Sequence, residues 1–406
     1  MTGQSASTQT EKHAVIAGAG IAGLTTALAL ADKGFKVTLC ERTGVFSEVG
    51  AGLQLSPNVT RLLKRLGVLD PLINRATVTK AVALLSAKSG ELLLNLSTTA
   101  VPQSDSAPFL AVHRADLQAV LVAKVLESSD IVIKTGLGFQ SASDLNGKIA
   151  ATFLRGDEPQ LIQGDLLVGA DGVWSKVRNL VPGHANTRHS GYTAWRATVP
   201  VSDALPAAFR HLCINQTVGA FLSPGAHLVA YPLRQGSTLN LVLVTPGTDS
   251  THGWDNSVDL AMLAQTLEQF EPSLRDCLAS ITNWRSWPLH GCPPEGAWTS
   301  GRIALAGDAA HAMTPFAAQG ACMAIEDAIV LADCLSKDDD VPAALAAYET
   351  ARKPRVTKVI ARGKFNRFAY HVSGPAAFAR NAVFALRGQK LMAELDWLYR
   401  FDVGSV

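Results

Sequence analysis

The chain has 406 residues, 48% hydrophobic and 17% charged, with a formal net charge of +2. That length holds two or three domains with full cores, and so small a charge excess gives no reason to expect nucleic acid or a membrane surface as the main partner. Six cysteines stand at 40, 213, 277, 292, 322 and 334 with no CxxC pair, so neither a disulfide framework nor a zinc site is expected.

The first dozen residues, MTGQSASTQTEK, read as a disordered tail. Ala14 to Ala31 then carries no charge, long enough to raise the question of a membrane helix or signal peptide. Three glycines in its first half and the strand-like KVTLCE that follows favour a strand, a turn and a helix instead. HAVIAGAG is thus a buried strand and IAGLTTALALADKG a helix ending at Gly34, with KVTLCE the second strand of a βαβ unit in a parallel sheet.

A helix is expected from Ala115 (ADLQAVLVAKVLES), then the strand IVIKT, and a hairpin turning at Asn146-Gly147. LLVGADG repeats the passage from strand into glycine. Between about 190 and 250, YTAWRATVPV, VGAFLS, HLVAYPL and STLNLVLVT are short strands bounded by Gly, Pro and Ser, which predicts an antiparallel sheet in a second domain. Helical sequence dominates after Gly320.

Three strand ends deliver glycines and acids. In Gly18-Ala19-Gly20-Ile21-Ala22-Gly23, Gly18 permits a tight turn, Gly20 lets the backbone approach a pyrophosphate, and Gly23 lets helix and strand pack closely. Glu41, ending the next strand, is placed to accept hydrogen bonds from ribose hydroxyls. Gly169-Ala170-Asp171-Gly172 and Gly307-Asp308 are the other two, and in a doubly wound sheet such ends converge on one crevice. His113-Arg114-Ala115-Asp116-Leu117 opens a helix; Asp116 suits a cap or first-turn position, and Arg114 either contacts phosphate or flavin or lies at the surface.

The ordered set GAGIAG…E, HRADL, GADGVWSKVR and GDAAHAMTPFAAQGACMAIEDA resembles the single-component, FAD-dependent aromatic hydroxylases, which share the para-hydroxybenzoate hydroxylase-like fold. The likeness covers nearly the whole chain. It implies an α/β protein: a discontinuous Rossmann-like, GR2-type FAD domain (1–75, 111–183, 288–340), a mixed or antiparallel substrate domain (76–110, 184–287) and a helical C-terminal segment (341–406). By resemblance, Glu41, Arg42, Arg114 and Asp308 contact FAD, and Pro315 lies against the flavin ring. Gln319-Gly320-Ala321 starts a helix whose N–H groups face the pyrimidine edge, where a helix N-terminus favours negative charge. Gly50-Ala51-Gly52-Leu53-Gln54 resembles a second loop near the flavin, and the segment at Asp171 one implicated in both FAD and NAD(P)H binding.

The implied reaction is reduction of FAD by NADH or NADPH, uptake of O₂ to give a C4a-hydroperoxide, and oxygen transfer to an electron-rich ring. Residues four apart on a strand share a face, so His227 and Tyr231 are candidates for one pocket; the pairing resembles 3-hydroxybenzoate 6-hydroxylases, with Gln319 as the matching glutamine near the substrate. The plainer alternative is a core histidine and a tyrosine capping a sheet edge. Phe316 stands where 6-hydroxynicotinate hydroxylases carry a histidine, which argues against that substrate. His311 reads as a residue that packs the loop, and Arg196 as a partner of a substrate carboxylate or of a structural acid. The ending DWLYRFD resembles salicylate- and hydroxybenzoate-type members. The reading is therefore a cytoplasmic, monomeric or homodimeric monooxygenase of a small phenolic acid, 3-hydroxybenzoate before salicylate. A hydroxynicotinate hydroxylase, a flavin oxidase, an epoxidase acting on a non-acidic substrate, or a non-enzymatic redox partner stand as alternatives.

Overall fold

The charge-free stretch near the start folds as strand, turn and helix. In the computed structural model, which describes residues 12–46, 51–100, 107–248 and 260–405, the strand is His13–Ala17 and the helix Ile21–Asp32. Residues 1–11 of the expected tail, and Gly50, lie outside the described residues. The helix stops where Gly34 takes φ +83°, and the chain re-enters the sheet as Lys36–Glu41.

Six strands make the first sheet, in the order Thr299–Ser300, Ile303–Leu305, Leu166–Gly169, His13–Ala17, Lys36–Glu41, Ile131–Thr135. All pairings are parallel except that of the short edge strand Thr299–Ser300. Helices Ile21–Asp32, Arg114–Leu126 and Gly320–Lys337 help cover it, and near-continuous apolar strands supply the main core, as a sheet buried on both faces requires. A three-stranded meander, Gly138–Leu145, Lys148–Arg155 and Glu158–Gly164, is appended. Its first turn is the expected Asn146-Gly147, both at positive φ (53° and 76°), which matches the twist of the strands it joins.

The second large sheet has seven strands, ordered Arg285–Gly291, Arg188–Pro200, Thr238–Pro246, Ala226–Leu233, Thr217–Ser223, Ala81–Ser86, Leu92–Ser97. It is mixed, because Thr217–Ser223 runs parallel to Ala81–Ser86. One face packs on helices Ala207–Ile214, Leu260–Leu267 and Pro272–Ser280 through Trp195, Phe221, Leu228, Ala230 and Leu241. Alternation sends their neighbours Ala194, Val229, Tyr231 and Val242 to the other face, in other apolar clusters. The strand Arg285–Gly291 runs across the expected boundary between residues 287 and 288. The C-terminal part is helical, led by Val341–His371 and Gly374–Arg387, and among the described residues no helix is long and apolar enough to cross a membrane.

Candidate active site

Three strand ends of the parallel sheet meet at the expected crevice. Gly18 has φ +99°, and a Cβ there would stand 2.4 Å from the carbonyl oxygen of Ala170. A Cβ on Gly23 would fall 1.8 Å from the Gly18 carbonyl oxygen. Both positions are closed to any side chain. Gly20 differs: nothing lies within 4 Å of its missing Cβ, so its Cα faces open space. Gly307 takes φ +60° between two helices, where a Cβ would come within 3.0 Å of the Ala22 methyl and 3.1 Å of that of Ala324.

The next residue, Asp308, is exposed. Glu41 accepts from the Ala19 N–H at 2.8 Å and from the Thr43 N–H at 2.9 Å, fixing the glycine turn, and Arg42 beside it is exposed. Helices of 12 and 18 residues begin at Ile21 and Gly320, so two N-terminal ends flank the crevice. Gly320 also has open space, its nearest contact being Met313 Cγ at 4.0 Å. Bare Cα atoms, helix N-termini and an exposed carboxylate form a cradle that suits a dinucleotide with anionic phosphates and ribose hydroxyls.

Beneath the Gly307–Gly320 loop lies a buried ionic cluster. Asp327 accepts from the Gly307 N–H at 2.9 Å, from His311 Nε2 at 2.6 Å and from Arg352 Nε at 2.7 Å. Glu326 accepts from Asn58 Nδ2, Arg352 and Arg355 at 2.7, 2.7 and 2.9 Å. Burial alone would raise Asp327, but the His311 and Arg352 charges outweigh it and hold the carboxyl down at about 2. The loop-packing role expected of His311 is the one its ring plays, since it also lies against Trp298. Pro315–Ala317 forms a short turn, closed by Ala318 at φ +52°. Gln319 is buried; its Nε2 donates to Ser56 Oγ at 3.0 Å and its Oε1 accepts from Asn58 at 3.4 Å, so its hydrogen bonds run into this cluster.

Comparison with known proteins places this arrangement. The family model described as "FAD binding domain" matches residues 11–363. The chain belongs to this FAD-binding monooxygenase family. It is 33% identical over 398 residues to 3-hydroxybenzoate 6-hydroxylase 1 of Aquipseudomonas alcaligenes, covering 95% of this chain and 96% of that protein. It is 32% identical to a 3-amino-4-hydroxybenzoate 2-monooxygenase of Streptomyces platensis, with 98% of each chain covered. Among solved structures, Klebsiella pneumoniae HpxO in complex with FAD and uric acid superposes with a TM-score of 0.82 at 24% identity, covering 95% and 96%. The expected α/β FAD-binding fold and the FAD cofactor thus hold for this chain.

The flavoprotein's second site element is the sheet face opposite the helices of the seven-stranded sheet. His227 and Tyr231 are both buried on the strand Ala226–Leu233, at the alternation that puts Leu228 and Ala230 on the far side. Tyr231 packs against Gly52: a Cβ on Gly52 would strike its ring at 2.6 Å, and the Gly52 N–H donates to buried Asn240 Oδ1 at 2.8 Å. His227 meets Phe316 of the GD loop at 5.6 Å between ring centroids, and its Nδ1 is 2.8 Å from Nε2 of His371. Burial, then His371, pushes His227 down to about 3, and burial pushes the Tyr231 phenol up.

Arg196 lies on the same face, its guanidinium 3.8 Å from the centre of the Trp287 ring, and its buried Nε has no hydrogen-bond partner among the described residues. Burial lowers it to about 10, with nearby Arg114 adding to the effect and Tyr231 opposing it.

Two expected residues have their carboxylates occupied by protein partners. Asp171 accepts from Ser175 Oγ at 2.5 Å and from the Lys176 and Val177 N–H groups at 2.8 and 3.2 Å, so its carboxylate organises the turn that follows it. Asp116 pairs with Arg234 at 2.9 Å, while the cap of the Arg114 helix is His113 Nδ1, which accepts from Ala115 N at 3.3 Å. Sequence reasoning missed Asn240, Tyr192, Trp287 and His371. Only Asn240 left a signal, as the single amide within the apolar run LNLVLV.

Proposed function

We propose that this flavoprotein hydroxylates a small phenolic aromatic acid, with 3-hydroxybenzoate at its 6-position the first candidate and salicylate the second. The observation that carries the reading is the convergence of neutral His227, Tyr231 and Arg196 on one sheet face opposite the GD loop. A phenol and a carboxylate on one ring ask for those groups, and both curated relatives described above are named for hydroxybenzoates.

The register sets the scale. Arg196 pairs with Val242 and Val242 with Val229, two residues from His227 on the same strand. Two strand spacings across and two residues along place Arg196 and His227 roughly 12 Å apart at Cα, which leaves room for one ring between their side chains. Arg196 would hold the carboxylate as a charge-assisted pair and satisfy its own Nε. His227, uncharged at neutral pH, offers a lone pair to the phenol, and the phenolate so formed is the stronger nucleophile. Tyr192, Phe316, Leu289 and Val244 wall the space with apolar surface and exclude water.

FAD supported by the glycine turn, Glu41, Asp308 and the helix begun at Gly320 would take hydride from NADH or NADPH and activate O₂. The backbone at Gly320 and Ala321 would meet the pyrimidine edge with a helix N-terminus, and Pro315 would back the ring.

The test is NADH and NADPH oxidation by the FAD-loaded protein across hydroxybenzoates, with products weighed by mass spectrometry. Stimulated oxidation with one added oxygen atom supports the reading and identifies the ring. Substrate turnover without inserted oxygen would replace it with an oxidase or dehydrogenase.

A further inference from the structure

Asn240 is completely buried on the strand Thr238–Pro246. It stands opposite Thr198 on one neighbouring strand and Tyr231 on the other, so its side chain projects from the face that carries Arg196 and His227. The Gly52 N–H meets it at 2.8 Å, and because that partner is a donor, the amide atom facing it is the oxygen. The other arm of the amide, Nδ2, is buried with no hydrogen-bond partner among the described residues.

A buried N–H without an acceptor is costly, and native proteins keep few of them. A second one lies close by. Arg196 pairs with Val242, two residues along the strand from Asn240. Arg196 and Asn240 are therefore diagonal neighbours on adjacent strands, roughly 7–8 Å apart, a spacing that long side chains bridge. The buried Nε of Arg196 also has no partner among the described residues. Val242 and Val229, beside them on the same face, have apolar side chains and offer no acceptor.

Two neighbouring donors left over on one patch, one cationic and one neutral, suit an anion with two oxygens. We propose that Asn240 is the second half of a carboxylate clamp: its Nδ2 donates to one oxygen of the substrate carboxylate while the Arg196 guanidinium holds the other. This rests on the reading of Arg196 as the carboxylate's partner. Asn240 then sets specificity and position and takes no part in moving protons or electrons. Its Oδ1 stays with Gly52, so one amide joins substrate recognition to the loop that carries Gly52.

The clamp also orients the ring. His227 pairs with Val244, four residues beyond Asn240 on the same strand and roughly 14 Å along it. The phenol end and the carboxylate end of the site are thus separate, and the carboxylate end is the one tied to Gly52, in the loop expected beside the flavin. In 3-hydroxybenzoate, C6 adjoins the carbon that bears the carboxylate and is para to the phenol. C4 lies at the opposite end, para to the carboxyl-bearing carbon. Holding the carboxylate at the Gly52 end presents C6 rather than C4 to the flavin side.

The experiment measures dissociation constants of 3-hydroxybenzoate and of phenol for wild-type, Asn240→Asp, Asn240→Ala and Arg196→Gln holoenzymes, read from the absorbance of the bound flavin. FAD content and melting temperature are measured alongside. Asn240→Asp keeps an oxygen for the Gly52 N–H but puts an acceptor where the clamp needs a donor. It should retain FAD and bind 3-hydroxybenzoate about tenfold or more weakly, the loss expected for a hydrogen bond to a charged group, with phenol binding unchanged. Asn240→Ala should show the same selectivity, and its product should include 3,4-dihydroxybenzoate beside the 2,5-isomer. A product that stays the 2,5-isomer alone overturns the orienting role. Selective loss in Arg196→Gln with none in either Asn240 variant overturns the clamp and leaves Arg196 as the lone partner. Equal weakening of both ligands, or loss of FAD from Asn240→Asp, overturns it in favour of a packing or cofactor role. Absence of selectivity in Arg196→Gln itself overturns the carboxylate reading on which the clamp rests.

Discussion

The backbone N–H of Gly307 donates to Asp327 Oδ2 at 2.9 Å, tying a strand end at positive φ to a buried carboxylate twenty residues later. Asp327 also takes His311 and Arg352, so one side chain fixes the loop's entrance, its histidine and the neighbouring helix. The acid pair Glu326-Asp327 in MAIEDA is fully buried and supports the loop that runs from Gly307 to Gly320.

Asp327→Asn should therefore destabilise the fold by about 1.5–3 kcal/mol, since the Gly307 N–H, His311 and Arg352 Nε lose a charged acceptor in the interior while Arg352 keeps Glu326. Chemical denaturation of the holoprotein measures this. The pH sign follows from the depressed pKa: the carboxylate's contribution is complete above its ordinary value of 3.8 and is lost as pH falls through the window down to about 2. The wild type should lose stability through that window and the variant should lose less, as read from melts between pH 5 and pH 2.

Gly20 and Gly23 make a controlled pair. A Cβ at Gly23 meets the Gly18 carbonyl oxygen at 1.8 Å, whereas one at Gly20 meets no protein atom within 4 Å. Gly23→Ala should reduce the melting temperature even of apoprotein. Gly20→Ala should leave the apoprotein melt unchanged and weaken FAD binding about tenfold or more, because the methyl occupies the phosphate approach. Equal apoprotein melts for the two variants would contradict this division.

Arg196→Gln separates carboxylate recognition from chemistry. Loss of a charge-assisted pair worth about 1.5–3 kcal/mol should raise KM for a hydroxybenzoate roughly ten- to a hundredfold. The matching phenol without a carboxylate should show no such change. Steady-state kinetics on the two substrates checks it, and an equal effect on both would assign Arg196 to packing against Trp287.

Gly52→Ala should act on the substrate side although Gly52 belongs to the loop expected beside the flavin. Its new methyl would collide with Tyr231 at 2.6 Å and crowd Asn240 at 2.9 Å. Displacing a buried tyrosine from the pocket face should lower kcat/KM about tenfold or more, with overpacking costing about 1–3 kcal/mol of stability. Retained FAD absorbance in the variant would show that the cofactor site is intact.

The parts legible in the sequence were those whose requirement is local. A turn with φ above zero at Gly18, a strand at KVTLCE, Asn-Gly between two strands and glycines at helix starts each follow from backbone sterics over a few residues, and each appears where the pattern put it. Alternation also placed His227 and Tyr231 on one face, because a strand's period needs no knowledge of its neighbours.

What a side chain does once there was decided by distant segments. Gln319 hydrogen-bonds Ser56 and Asn58, more than 260 positions away. Asn240 reaches Gly52 across 188 positions, and His371 reaches His227 across 144. No local pattern encodes such pairs, since their energy comes from satisfying buried polar atoms that only packing brings together. Sequence alone thus determined the backbone of a dinucleotide crevice and the face that looks toward it, whereas tertiary packing decided which polar groups are left for a ligand.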